Sequence, residues 1–119
     1  MKFLLALGLL VFCAPAFGAT CKISEYRRMP QDDDGRVLPV AQEPAVTDQT
    51  VTYTSSTQSA AFNNSTHFVR IVCDAKAHFQ FGTDPTATAN DPYLPADAPE
   101  YFGVTPGEAI EVAFYDGAS

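Results

Sequence analysis

Short alternating segments rich in Val, Thr, Phe and Tyr constrain this chain more than anything else in it. Residues 20–26 put Cys21 and Ile23 on one face and Lys22 and Ser24 on the other. Residues 49–55 turn Val51 and Tyr53 inward among Thr and Gln. Residues 67–73 place Val69, Ile71 and Cys73 on one face and Phe68, Arg70 and Val72 on the other, and 77–81 repeat the pattern with Phe79 and Phe81. A weak run at 36–42 carries Pro39, which confines it to an edge or an extended linker. Segments 100–104 and 109–115 complete the series, the last with Ile110, Val112 and Phe114 inward. A period of two belongs to half-buried strands, and the Pro, Gly, Asp and Asn clusters between the runs supply turns. Seven short strands in about 100 residues predict an all-β domain, a small antiparallel β-sandwich or a small barrel.

Residues 1–18 stand outside that pattern. Lys2 precedes an uncharged apolar run over 3–12, followed by Pro15 and small residues, with cuts expected after Gly18 or Ala16. This is the layout of a secretory signal peptide, and the run is too short for the about 20 apolar residues of a membrane span. The division is therefore a signal-like segment, 1–18, and one sandwich domain, 19–119, exported to the periplasm or medium and free of the membrane once mature. An apolar fraction of 46% suffices for a core. Without Lys2 the balance is six Lys/Arg against fourteen Asp/Glu, or −8. That sign disfavours nucleic acid and anionic lipid as partners.

Removing the leader also removes Cys13 and leaves Cys21 and Cys73. An even pair in an exported domain is a candidate disulfide; the alternative is two buried free thiols. No CxxC occurs, so neither a zinc knuckle nor a thioredoxin-type site is expected. Asp32-Asp33-Asp34-Gly35 has Glu43 at the twelfth position, but its Gly comes at the fourth rather than the sixth, so a solvated turn is expected in place of a calcium loop. His67 and His78 are placed to face each other across a hairpin, yet a metal site needs a third ligand. No G-x-S-x-G, P-loop or G-x-G-x-x-G occurs, and the reading is non-enzymatic, with no catalytic residue, cofactor or metal. Asn63-Asn64-Ser65-Thr66 holds two overlapping N-x-S/T sequons, relevant only in a eukaryotic secretory pathway.

The segment 83–98 is long, carries three prolines and lacks a continuous apolar run. It is read either as a crossover between sheets or as a docking loop, with Asp84, Pro85, Asp91, Pro92, Tyr93 and Leu94 as candidate contacts. Tyr93 and Leu94 could equally plug it onto the sandwich.

From Thr50 onward a Ser-x-x-Phe segment (59–62), a V-R-I-V strand (69–72), an F-G-T-D-P-T-A turn (81–87) and an L-P-A…E-Y-F-G-V…P-G run (94–107) follow in order. Over roughly its last two thirds the chain resembles small virion-associated proteins of tailed phages and prophages. The resemblance implies a β-sandwich or jelly-roll module that decorates a head or forms part of a tail, as a symmetric oligomer or with other virion proteins. The matching motifs are turns and strand ends, not catalytic groups. The leader departs from such a family, whose members assemble in the cytoplasm. Either the start lies too far upstream or this is an exported relative. From Ala77 onward there are seven acids and no Lys or Arg, so apposed copies are expected to repel and to associate better as salt rises.

Overall fold

A computed structural model describes residues 18–117, which form eight strands and no helix. The signal-like segment 1–17 lies outside the described residues. The strands are β1 (Ala19–Tyr26), β2 (Thr47–Tyr53), β3 (Thr57–Gln58), β4 (Phe68–Cys73), β5 (Ala77–Gly82), β6 (Tyr93–Leu94), β7 (Glu100–Gly103) and β8 (Glu111–Tyr115). They build two four-stranded antiparallel sheets, β2-β1-β4-β7 and β3-β8-β5-β6. The domain is a β-sandwich. If β1 is counted after β8, the neighbours run first-last-third-sixth and second-seventh-fourth-fifth, which is jelly-roll order with the closing strand moved to the front.

In β4, in β2 and from Cys21 to Glu25 of β1 the alternation read from the sequence is the alternation of burial, whereas in β5 and β8 adjacent residues are buried together and Phe79 and Phe81 are only half-buried. Cys21, Ile23, Val51, Tyr53, Val69, Ile71 and Cys73 from one sheet meet Ala77, Leu94, Val112 and Phe114 from the other. Phe79, Phe81 and Phe102 close one end of the core with ring centroids 5.1–5.9 Å apart. Each fully buried large apolar side chain contributes about 1.5–3 kcal/mol. Three differences from the sequence reading have simple causes. Residues 36–42 form no strand: Pro39 has no N–H to give a ladder and Val37, Leu38 and Val40 are exposed, so the segment only folds back on 28–32 through the Leu38 N–H to the Pro30 carbonyl, the Gln42 N–H to the Arg28 carbonyl and an isolated bridge, Gln31 to Val37. β3 and β6 are two residues long, too short to show a period. His67 precedes β4 and His78 lies in β5 of the opposite sheet, so the two histidines do not face each other.

Cys21 and Cys73 are disulfide-bonded, directly opposite in the β1–β4 register with Cα atoms 4.0 Å apart. The Asp74 N–H donates to the Thr20 carbonyl just outside this pair, which makes it the non-hydrogen-bonded kind, where side chains stand closest.

Two buried polar groups clamp the sandwich. Glu25, 1% exposed, continues the inward face of Cys21 and Ile23. Its Oε1 accepts from the Asn63 N–H at 2.7 Å and Thr66 Oγ1 at 2.8 Å, and its Oε2 accepts from Gln49 Nε2 at 2.8 Å. The Tyr53 hydroxyl donates to the Ala75 and Lys76 carbonyls at 3.2 Å. Burial, aided by the carboxylates of Asp74 and Asp116, pushes the Tyr53 phenol up to about 12 from its ordinary 10. Between these values the folded phenol keeps a proton that the unfolded chain gives up, so stability is complete below pH 10 and falls as pH rises toward 12. Chemical denaturation from pH 9 to 12 should show this decline, and Tyr53→Phe should flatten it; an equally steep decline in the variant would reject Tyr53 as its source.

Candidate docking surface

Between β1 and β2 the chain makes an arm, residues 27–46, that returns where the Val46 N–H meets the Glu25 carbonyl at 2.7 Å. Its tip is the acidic run. Asp32 Oδ1 accepts from the N–H groups of Asp34 (2.9 Å) and Arg36 (2.8 Å), and Gly35 takes φ +82°, a conformation glycine adopts freely. The carboxylate is thus used in shaping a turn. Glu43 is occupied elsewhere, accepting from the Tyr26 hydroxyl at 2.8 Å. Burial first, and this Glu43 contact second, raise the Tyr26 phenol above its ordinary range. Among the described residues no group of three or more His, Cys, Asp or Glu is placed to hold a metal ion.

The arm lies across an aromatic strip on the outer face of the first sheet. Tyr26 stacks on Phe68 at 5.2 Å, and Phe68 meets Tyr101 on the edge strand β7 at 6.2 Å. The outer face of β4 carries Phe68 and Val72 on either side of Arg70, and apolar residues on both faces of one strand are the sequence signal for a partial cover. Two open grooves flank Met29 and Phe68. One, of about 460 Å³, runs between Pro39, Val40 and Ala41 of the arm and Tyr101, Phe102 and Gly103 of β7. The other, of about 550 Å³, is bounded by Arg27, Arg28, Gln31, Val37 and His67. Neither is lined by any Asp or Glu. Six large apolar side chains are exposed in the described residues, and five of them (Met29, Val37, Leu38, Val40 and Tyr101) belong to the arm or β7. Such clustering, rather than single exposed apolar residues, marks a contact surface.

The loop before β6 crosses from one end of the second sheet to the other and is fastened as it goes. Gln58 Nε2 donates at 2.8 Å to both Asp84 Oδ1 and the Pro85 carbonyl. Asp91 Oδ2 accepts from the Thr88 N–H at 2.7 Å, the Asp91 carbonyl pairs with His78 Nδ1 at 2.8 Å, and the Pro92 carbonyl accepts from the Phe79 N–H at 3.0 Å. Leu94 is fully buried and anchors the segment, while Tyr93 is 54% exposed. Lys76 Nζ sits 4.2 Å above the Tyr93 ring, and His78 meets that ring edge-on at 5.6 Å. Of the six residues read as docking contacts, Asp84, Pro85, Asp91 and Pro92 therefore hold the loop, Leu94 plugs it, and Tyr93 is presented outward. The structure does not bring them to the arm, which lies on the other sheet. Comparison with protein-family models, with curated proteins and with solved structures returns no match.

Proposed function

We propose that this chain is a non-catalytic docking module, and within that class a structural or decoration protein of a phage virion. The observation that carries the docking role is the gathering of five of the six exposed large apolar side chains of the described residues on the arm and the β7 edge. The virion assignment draws its support from the ordered motifs between 59 and 107. Their positions are framework positions: 69–72 lie in β4, 81–87 carry the loop clasped by Gln58, and 94–107 hold β6, β7 and the Pro106-Gly107 turn, with Gly107 at φ +81°.

A second reading, an exported periplasmic or secreted binding module, is favoured by the Cys21–Cys73 bond, since disulfides persist in oxidising compartments. Purified particles and the cell-free medium or periplasm of the natural host should be compared by N-terminal mass spectrometry. The virion proposal expects the chain in stoichiometric amount on particles. Recovery only as a free protein beginning near residue 19 would overturn it and leave the exported module.

A further inference from the structure

β7 is the last strand of its sheet. The Val104 N–H donates to the His67 carbonyl at 2.9 Å, one step beyond the Phe68–Gly103 pair of the β4–β7 register. Bonded and non-bonded pairs alternate along an antiparallel ladder, so it is Glu100 and Phe102 that bond to β4. The N–H and C=O groups of Tyr101 and Gly103 therefore point away from β4, where no strand follows. We propose that a second copy of this chain supplies that strand: β7 pairs with β7 about a twofold axis at Phe102, joining the two four-stranded sheets into one. The proposal rests on the docking reading of this face and names its occupant.

The edge is complementary to itself. With Phe102 opposite Phe102, Tyr101 of each copy faces Gly103 of the other, and each such pair exchanges both N–H···O=C bonds. Setting Tyr101 against Tyr101 would instead put Gly103 opposite Pro99, which has no N–H to give. Shape selects the same register. A side-chain carbon on Gly103 would meet only the His67 carbonyl, at 4.0 Å, so the space above this residue is open. The Tyr101 ring of the second copy lies over that glycine, in the groove of about 460 Å³ between Phe68, Met29 and Val40. On the inner side a further groove, of about 320 Å³, lies among Phe81, Phe102, Val104 and Ile110. Neither lining carries a charged residue, and 101–104 is uncharged and free of proline, so the edge lacks its usual protections there. Glu100 faces Val104 of the other copy. The two Glu100 residues then stand about 13 Å apart along the strands, beyond the roughly 8 Å screening length at physiological salt. The other edges offer less: β3 and β6 are two residues long, and the exposed positions of β2 are Thr and Asp.

Sedimentation velocity and amide exchange on the full chain test this without any particle. The wild type should form dimers and nothing larger, because a twofold contact closes on itself. The contact is neutral and each copy is acidic, so dimers should gain as salt screens the net repulsion. In the dimer the amides of Tyr101 and Gly103 should slow in exchange, while that of Phe102, already bonded to β4, should change little. Gly103→Pro removes an edge donor without taking a bond from β4, and Tyr101→Ser empties the groove. Each should weaken the dimer about tenfold or more. Tyr93→Ser, at an exposed tyrosine of the other sheet, should dimerise like the wild type. Thermal midpoints near the wild type would show that the variants fold. A monomer at every salt concentration would overturn the second copy as occupant and leave the docking reading to the comparison of particles with medium. Species larger than a dimer, dimers whose Tyr101 and Gly103 amides exchange freely, or folded edge variants that dimerise like the wild type would overturn it equally.

Discussion

Replacing Cys21 and Cys73 together by Ala is expected to lower stability by roughly 4 kcal/mol, the chain-entropy value for a bond closing a loop of this size. The two cysteines are 52 residues apart in sequence and join β1 to β4, the central strands of the first sheet. Breaking the bond frees the arm, β2, β3 and the β3–β4 connection as one long loop in the unfolded chain. Domains of this kind have about 5–15 kcal/mol in total, so the loss is a large share. Urea titration of the variant should show a midpoint well below the wild type. Reducing the wild type, which keeps both sulfurs in the core, separates the lost constraint from the lost volume. An unchanged midpoint under full reduction would reject the assigned contribution.

Glu25→Gln should cost about 2–3 kcal/mol, more than an amide-for-acid exchange on the surface, because it sets a donor against donors. Both carboxylate oxygens are in use, and Gln49 cannot turn over to help. Its own Oε1 accepts from the Ala60 N–H at 2.9 Å while its Nε2 also reaches the Ala60 carbonyl at 3.2 Å. Thr66, fully buried, has its hydroxyl on the same carboxylate. The expected sign in the molecule is loosening of residues 59–66 against β1, read by faster amide exchange at Asn63 and Ala60 together with a lower urea midpoint. Wild-type exchange and an unchanged midpoint would show that Glu25 is not the clamp.

The core was legible because strand periodicity is local. Val69, Ile71 and Cys73 announce their face within seven residues, and the opposing Val112 and Phe114 do the same. Glu25 was legible in principle, standing two places beyond Ile23 on the inward face, but alternation marks position and not partners. Its three donors come from residues 24 to 41 positions away, a separation that no local pattern encodes. The docking surface was less legible still. Met29, Val40 and Tyr101 share a groove because β7 returns to pair with β4, and that pairing is decided by the packing of both sheets. In the 83–98 segment the sequence read six contacts, of which the fold turns most to its own fastening, because Asp and Pro serve turns as readily as partners.

The position of β1 in the strand order has a practical corollary. Thr20 pairs with Asp74 after β4, and Tyr115 pairs with His78 at the start of β5, so residues 18 and 117 leave the sandwich from one pole. The arm leaves β1 at the other, an eight-residue strand or about 25 Å away. A tether, fluorophore or surface linkage attached at either of those residues would hold the molecule by its base with the grooves pointing outward. Immobilisation for binding measurements can therefore use either residue without masking the grooves.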